Sequence, residues 1–147
     1  MKIIIFILLL CCTATSFAQV QPKTTSVDIR PTLKSDVYTI SVGISSPDTG
    51  CTQYADWWEI VTPDGTLLYR RILGHSHVSE QPFVRSGNAV TLDKDQEVYI
   101  RMHMNSTGYS NLGHQGSIAT GFRAVALPTD FALGLAKEKP LPKGCGF

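Results

Sequence analysis

Apolar and polar residues alternate along most of the chain after residue 25. In the segment VYTISVGIS (37–45), every second residue is apolar: Tyr38, Ile40, Val42 and Ile44. The segment EVYIRMHMN (97–105) repeats the pattern with Val98, Ile100, Met102 and Met104. Successive side chains of a β-strand point to opposite faces, so a period of two places the apolar residues on one face. The pattern therefore predicts strands that each bury one face.

Seven or so short strands are predicted, separated by turn signals. They are SVDIR (26–30), VYTISVGIS (37–45), WWEIV (57–61), TLLYRRIL (66–73), AVTL (89–92), EVYIRMHMN (97–105) and SIATGFRAVAL (117–127). Between the third and fourth, Pro63 presets the backbone of a turn and Gly65 accepts a positive φ, which predicts a β-hairpin. The only helical candidate is TDFALGLAKE (129–138), capped by Thr129 or Asp130 and weakened by Gly134.

This pattern predicts an all-β fold: a single antiparallel β-sandwich, immunoglobulin-like or jelly-roll, with at most one short C-terminal helix. The first residues predict a secretory signal peptide over 1–18, with an apolar run from Ile3 to Cys12 and small residues at Ser16 and Ala18 before the cut. The run is shorter than the roughly 20 apolar residues of a membrane anchor. We therefore expect a secreted or periplasmic domain over 19–147 without a membrane anchor.

Charge and cysteine content narrow the function. Loss of the leader removes Lys2 and leaves equal numbers of basic and acidic residues. No run of like charge exceeds the pair Arg70 and Arg71, which excludes the basic stripe that nucleic acid requires. Cys51 and Cys145 remain after export, and two cysteines in an oxidising compartment predict a disulfide. In the chain-entropy estimate, a disulfide that closes the long loop between these two cysteines stabilises the protein by about 4 to 5 kcal/mol.

The four histidines are the candidate metal ligands, and all lie between residues 75 and 114. His75 and His77, in GHSHV, lie on one face if their segment is extended, as an H-x-H pair needs for binding one metal. His103 faces away from the apolar set of its strand, and His114 lies in the predicted loop NSTGYSNLGHQGS (105–117). The pattern predicts a copper or zinc site with the pair as two ligands and His103 or His114 as the third. The alternative is two solvated histidines at a hairpin rim.

The ten residues YRRILGHSHV (69–78) resemble the strand with which copper type II monooxygenases present an H-x-H pair to one copper, also within a jelly-roll domain. The resemblance covers these ten residues only. Those enzymes use a second copper domain and a methionine ligand, which have no counterpart in this chain. The resemblance therefore implies copper ligation by the pair and does not imply hydroxylation.

A second class of function is a non-catalytic interaction module without metal, such as an enzyme inhibitor, an adhesin or a carbohydrate binder. Its candidate contact residues are Trp57, Trp58 and Tyr109, together with the loop 105–116, since aromatic side chains anchor protein partners and stack on sugars. No catalytic residue is predicted: Ser76 in GHSHV lacks the last glycine of a nucleophile elbow and the strand-to-helix turn that it needs. An enzyme would require the metal site plus an open coordination position.

Overall fold

The computed structural model describes residues 20–146, so the predicted signal peptide lies outside the described residues. Ten strands and one short 3-10 helix make up the regular structure of this part. The elements are Lys23–Pro31 (β1), Val37–Ser45 (β2), Ala55–Val61 (β3), Leu67–Ile72 (β4), Phe83–Ser86 (β5), Val90–Thr91 (β6), Val98–Met104 (β7), Gly108–Tyr109 (β8), Leu112–Ser117 (β9), Gly121–Ala126 (β10) and the 3-10 helix Leu133–Lys137.

The strands form two antiparallel sheets. The small sheet has the order β1-β2-β5, and β6 also pairs with β2. The large sheet has the order β10-β9-β7-β3-β4, and β8 also pairs with β7. The apolar faces of both sheets contribute to one core, so the predicted all-β sandwich is confirmed.

The core confirms the alternation read from the sequence. The small sheet contributes Ile40, Val42 and Ile44, and the large sheet contributes Trp58, Ile60, Ile100, Met102 and Met104, all essentially fully buried. Burial of each large apolar side chain stabilises the fold by about 1.5–3 kcal/mol. The hairpin between β3 and β4 is also as predicted: Gly65 has a φ of 87°, and its N–H donates to the carbonyl of Thr62 at 2.9 Å.

The segment 105–117 differs from its prediction as a loop, because it contains β8 and β9. β9 (LGHQGS) has no apolar alternation, so the pattern gave no strand signal. β9 lies close against β7: a Cβ on Gly113 would lie 2.6 Å from the carbonyl oxygen of Ile100. His114 lies in β9 and is paired with Ile100.

The predicted helix near the C-terminus is only a single 3-10 segment. Ala132 precedes it in the left-handed conformation, with a φ of 46°, and no side chain caps it. The prediction that Thr129 or Asp130 caps this helix was wrong, because the regular segment begins only at Leu133. Among the described residues, no helix combines the length and apolar character needed to cross a membrane.

Residues 127–146, here called the C-terminal segment, are mostly irregular. The predicted disulfide is confirmed: Cys145 is bonded to Cys51, with 5.6 Å between the two α-carbons. Next to it, the N–H of Gly146 donates to the carbonyl of Gly74 at 2.6 Å. The end of the segment is thereby fixed beside the residue that precedes His75.

Candidate functional site

His75 and His77, the histidine pair, lie in the connection between β4 and β5. The chain leaves β4 with the N–H of Leu73 donating to the carbonyl of Asp56 at 2.8 Å, and the pair follows within four residues. The two imidazole ring centres are 4.5 Å apart, with the planes inclined by 39°. His75 is exposed, whereas His77 retains only 4% of its accessible surface. The spacing thus brings two imidazoles together, although the segment is a loop and not a strand.

The His77 side chain is fixed on two sides. Its ring stacks on Phe83 with 3.8 Å between ring centres, and its backbone N–H donates to Asp48 Oδ2 at 2.8 Å. The same carboxylate oxygen lies 4.0 Å from His77 Nδ1, which is too long for a hydrogen bond. Both ring nitrogens of His77 are buried without a hydrogen-bond partner among the described residues.

Burial and the neighbouring positive charges favour the neutral form of His77. Burial lowers the pKa of His77, and the nearby Arg85 guanidinium and His75 lower it further against the opposing effect of Asp48 and Glu80. Arg85 is itself paired with Glu80 at 2.8 Å on the surface. A neutral imidazole is the form that ligates a metal.

His103 and His114 do not join the histidine pair. His114 pairs with Ile100 and shares its core-facing side, and its Nδ1 lies 2.7 Å from Thr24 Oγ1. His103 lies in β7, three residues beyond Ile100, so its side chain lies on the opposite face of the large sheet. Within residues 20–146, no three His, Cys, Asp or Glu side chains are grouped closely enough to hold a metal ion. The predicted convergence of the pair with a third histidine is not found.

On its own face of the sheet, His103 belongs to an aromatic cluster. Its ring is stacked on Trp57 with 3.6 Å between ring centres and an angle of 6°, and its Nδ1 lies 2.7 Å from Asp56 Oδ1. Tyr109 meets His103 edge to face at 4.9 Å. These contacts engage the Nδ1 atom and one face of the imidazole, and Tyr109 packs against the ring.

The sequence reading missed a buried charge network on this face. The carboxylate of Glu59 is fully buried and accepts hydrogen bonds from Arg70 Nε at 2.8 Å and from Arg101 Nε at 2.9 Å. Tyr109 Oη donates to the same carboxylate at 3.4 Å. Burial, with the neighbouring Glu59 charge, raises the pKa of Tyr109 to about 12, so the hydroxyl remains a donor. Glu59, Arg70, Arg101 and Tyr109 are called the Glu59 cluster below.

The two arginines of the Glu59 cluster hold the C-terminal segment. Arg70 donates to the carbonyls of Leu135, Glu138 and Pro140 at 2.6–3.1 Å. Arg101 donates to the carbonyls of Phe131 and Ala132 at 2.5 and 3.0 Å. Arginine suits this role because its rigid fork presents five N–H donors in one plane. A signal was present in the sequence: Glu59 interrupts the otherwise apolar segment WWEIV (57–61), as happens when both faces of a strand are covered.

The predicted contact residues of an interaction module are mostly buried. Trp58 lies in the core with no accessible surface, and Trp57 keeps 3% under Arg70, His103 and Tyr109. Neither indole therefore offers a face to a partner, although both were candidate contact residues. Tyr109 is partly exposed and lies at a cleft of about 340 Å³. Most residues that line this cleft are apolar or carry uncharged polar side chains. They are Val20, Gln21, Pro22, Pro47, Gln53, Arg101, Met104, Ser106, Thr107, Tyr109, Ser110, Asn111, Leu127, Pro128, Thr129, Phe131 and Leu133.

Comparison with known proteins gives one limited match. No protein-family model matches the chain, and no solved structure matches it. A protein of Halomicrobium mukohataei named "Putative lipoprotein" is 39% identical to the chain over 69 residues, which are 47% of this chain and 34% of that protein. The chain thus spans about one third of the length of the relative that it matches, and the match does not place it in a family.

Proposed function

We propose that this chain is an exported β-sandwich protein that binds one copper or zinc ion through His75 and His77. Export is supported by the disulfide between Cys51 and Cys145, because such bonds persist in oxidising compartments. The name of the partial relative, a lipoprotein, also favours an extracytoplasmic location. Of the four candidate histidines, two remain in the proposed metal site.

The observation that carries the proposal is the state of His77. Its two ring nitrogens are buried and have no hydrogen-bond partner among the described residues. A buried polar group without a partner costs about 1–3 kcal/mol, so such a group needs an explanation in a bound water or ion. A metal ion at one ring nitrogen would supply the missing interaction.

The arrangement around His77 favours Nε2 as the ligand atom. Metal-bound histidines usually direct the other ring N–H toward a carboxylate or carbonyl oxygen, which fixes the tautomer. His77 Nδ1 lies 4.0 Å from Asp48 Oδ2, and that carboxylate is held by the backbone N–H groups of Ala55 and His77. With the proton on Nδ1, the Nε2 lone pair is free to bind a metal.

The separation of the two rings also fits one shared ion. With metal–nitrogen bonds of about 2.0–2.1 Å, two imidazoles on one ion have ring centres roughly 4.5 to 5.3 Å apart. The observed separation is 4.5 Å. Two protein ligands leave at least two coordination positions for water or small anions, so we expect exchangeable binding and not a closed structural site.

The second candidate function is an interaction module without metal. The observation that favours it is the cleft beside Tyr109, whose volume of about 340 Å³ is in the range of small-ligand sites. Its lining is nearly uncharged: among the described residues that line it, Arg101 is the single ionised one, and it is paired with Glu59. A neutral glycan or peptide would suit this cleft better than a charged ligand.

The test is metal titration of the oxidised protein over residues 19–147, followed by calorimetry and by thermal unfolding. We expect about one equivalent of Cu²⁺ or Zn²⁺ and a higher melting temperature. His75→Ala changes an exposed residue and should weaken binding at least about tenfold, because the loss of even an outer partner of a metal ligand typically costs about 10–100-fold in affinity. His77→Gln should abolish binding, whereas the control His114→Gln should bind like the wild type.

Circular dichroism of each variant checks that the fold is retained. Absence of metal uptake by the wild type would refute the proposal. Equal loss of affinity in His75→Ala and His114→Gln would refute it as well, because His114 lies elsewhere in the sandwich. In either case the cleft beside Tyr109 becomes the site to test with neutral sugars and peptides.

A further inference from the structure

The strand β10 (Gly121–Ala126) lies at one edge of the large sheet, where β9 is its strand partner among the described residues. The hydrogen-bonding phase of this pairing is fixed by Leu127, whose N–H donates to the carbonyl of Asn111 at 2.7 Å in the same register. Hydrogen-bonded and non-hydrogen-bonded pairs alternate along an antiparallel ladder. Every second residue of β10, beginning with Gly121, therefore bonds to β9.

The backbone N–H and C=O groups of the other three residues, Phe122, Ala124 and Ala126, point away from β9. Within residues 20–146, the structure gives these groups no hydrogen-bond partner. Their side chains share the core-facing side of the sheet, because Ala124 is paired with His114. Phe122 packs against the core, whereas Ala124 and Ala126 are exposed. This edge therefore offers unpaired backbone groups together with small apolar side chains.

β10 lacks the features that usually prevent pairing at the edge of a sheet, which include proline and β-bulges. Its sequence, GFRAVA, contains no proline, and its register with β9 is continuous. Its one charged residue, Arg123, donates from Nη2 to Gln115 Oε1 at 2.9 Å, so this side chain lies over its own sheet. By contrast, β1 at the edge of the small sheet has a register shift between Thr24 and Ser26 and ends at Pro31.

We infer that β10 pairs antiparallel with β10 of a second copy of this chain, about a two-fold axis at Ala124. In this register, Ala124 lies opposite Ala124 of the second copy, and Phe122 lies opposite Ala126. The three pairs bring together only outward-pointing backbone groups, and two hydrogen bonds in each pair give about six in all. The large side chain of Phe122 meets a small one. The edge is thus complementary to itself, which favours a second copy over an unrelated strand.

Charge and backbone chemistry select this register over its neighbours. With the axis at Ala124, Arg123 lies opposite Val125 of the second copy. An axis at Arg123 would place two arginines directly opposite each other, which is destabilising. An axis at Val125 would place Phe122 opposite Pro128, which has no N–H to donate. An axis between two residues would set the outward-pointing groups against groups that already bond to β9.

The contact is small and independent of the proposed metal site. A standard interface involves roughly 20–30 residues a side, so we expect one short strand to give a reversible dimer with a dissociation constant between about 1 μM and 1 mM. The histidine pair follows β4, which lies at the opposite edge of the large sheet from β10. Failure of this inference therefore leaves the proposed function untouched, and the reverse also holds.

Sedimentation velocity of the oxidised protein over residues 19–147 tests for the dimer, at concentrations from about 1 μM to about 1 mM. We expect the sedimentation coefficient to rise with concentration towards that of a dimer. Ala124→Lys places two like charges opposite each other at the axis and should weaken dimerisation at least about fivefold. Ala119→Lys, the same change at an exposed alanine before β10, should leave the dissociation constant unchanged. Circular dichroism checks that both variants are folded.

Disulfide crosslinking tests the register. In a hydrogen-bonded antiparallel pair the α-carbons are about 5.5 Å apart, which lies within the range that a disulfide spans. Cys51 and Cys145 are bonded to each other, so Ala124→Cys adds one thiol to the oxidised domain. With diamide as the oxidant, this variant should form crosslinked dimers at least about tenfold faster than Val125→Cys, because residue 125 lies opposite Arg123 and not opposite itself.

Three results would overturn the inference. A sedimentation coefficient that stays constant up to about 1 mM would exclude the dimer and leave this edge to an extended segment of another protein. A dimer that Ala124→Lys does not weaken would place the contact elsewhere on the molecule. Equal crosslinking rates of Ala124→Cys and Val125→Cys would exclude an axis at Ala124.

Discussion

Arg70 and Glu59 form a fully buried ion pair in which both Nε and Nη2 of the guanidinium donate to one carboxylate oxygen, at 2.8 and 2.5 Å. Arg101 approaches the other oxygen at 2.8 Å. One carboxylate thus faces two guanidinium groups in a place that water does not reach. The arrangement depends on every member, because a buried charge without its counterion is strongly destabilising.

We therefore expect Glu59→Gln to lower the free energy of unfolding by about 3–5 kcal/mol, since the change leaves two buried arginines without their counterion. Glu138→Gln is the matched control, as the Glu138 side chain is exposed and forms no ion pair within residues 20–146. The control should change stability by less than about 0.5 kcal/mol. Urea denaturation of both variants measures the difference, and equal midpoints would contradict the role given to Glu59.

Arg70→Lys tests how the C-terminal segment is held. Lysine retains the positive charge beside Glu59, but its single ammonium group cannot reach the three carbonyls that Arg70 contacts. We expect faster hydrogen exchange of the amides over 133–140, including that of Glu138, which donates to the carbonyl of Leu135. Mass spectrometry of the exchanged peptides provides the measurement.

The control for this prediction is Arg71→Lys in the same strand. Arg71 donates to the carbonyls of Ser86 and Ile72 and has no hydrogen bond to the C-terminal segment. Its replacement should leave exchange over 133–140 unchanged. If the two variants accelerate exchange equally, the arginine-to-carbonyl contacts are not what holds this segment.

Removal of the disulfide should destabilise the protein without changing its fold. Cys51 and Cys145 are separated by 94 positions. Disulfides typically stabilise proteins by about 2–4 kcal/mol, somewhat less than the chain-entropy estimate for a loop of this size. We expect the Cys51→Ser, Cys145→Ser double variant to unfold at lower urea concentration with an unchanged far-ultraviolet spectrum. An unchanged midpoint would show that the Glu59 cluster alone holds the C-terminal segment.

His114 should make stability depend on pH. Burial lowers the pKa of His114 in the folded protein, whereas in the unfolded chain the pKa is about 6.5. As pH falls below about 6.5, the unfolded state takes up the proton first, so stability is complete above this pH and decreases below it. His114→Gln, which can still bond to Thr24, should show a smaller fall in melting temperature between neutral and mildly acidic pH. A parallel fall in both proteins would contradict the assignment.

Gly116→Ala tests the close approach of β9 and β10. A Cβ at this position would lie 2.0 Å from the carbonyl oxygen of Gly121, so the backbone would have to move. We expect a loss of at least about 2 kcal/mol, as for other severe steric conflicts. Gly134→Ala, where no atom lies within 4 Å of the new Cβ, should be nearly neutral. Thermal unfolding compares the two, and a neutral Gly116→Ala would contradict the described register.

The core could be predicted because the alternation of apolar and polar residues indicates which side chains of each strand are buried. Met102 and Met104 were expected in the core and are buried there, whereas His103 was expected to face away from that core. Arg101 lies on the same face of the strand as His103. That face is covered by an irregular, proline-containing segment from far along the chain. Periodicity describes one strand at a time and carries no information about such a cover.

The histidine pair was predictable for a different reason. Two residues separated by one position remain close in almost any extended backbone, so the proximity of His75 and His77 follows from spacing. The burial of His77 does not, since it depends on Phe83 and on the Asp48 carboxylate from other parts of the chain. The prediction of a third histidine ligand failed because the sequence does not show on which face of the sheet His114 lies. Its strand, β9, has no apolar alternation.

The contacts of Arg70 and Arg101 with the C-terminal segment all end on main-chain oxygens. Those contacts do not depend on which side chains the segment carries, and Leu133, Gly134 and Glu138 are exposed above them. We therefore expect the exposed positions of this stretch to accept foreign side chains while its path remains fixed. Those positions are suited to carrying an epitope or a fluorophore on the surface of an otherwise unaltered sandwich.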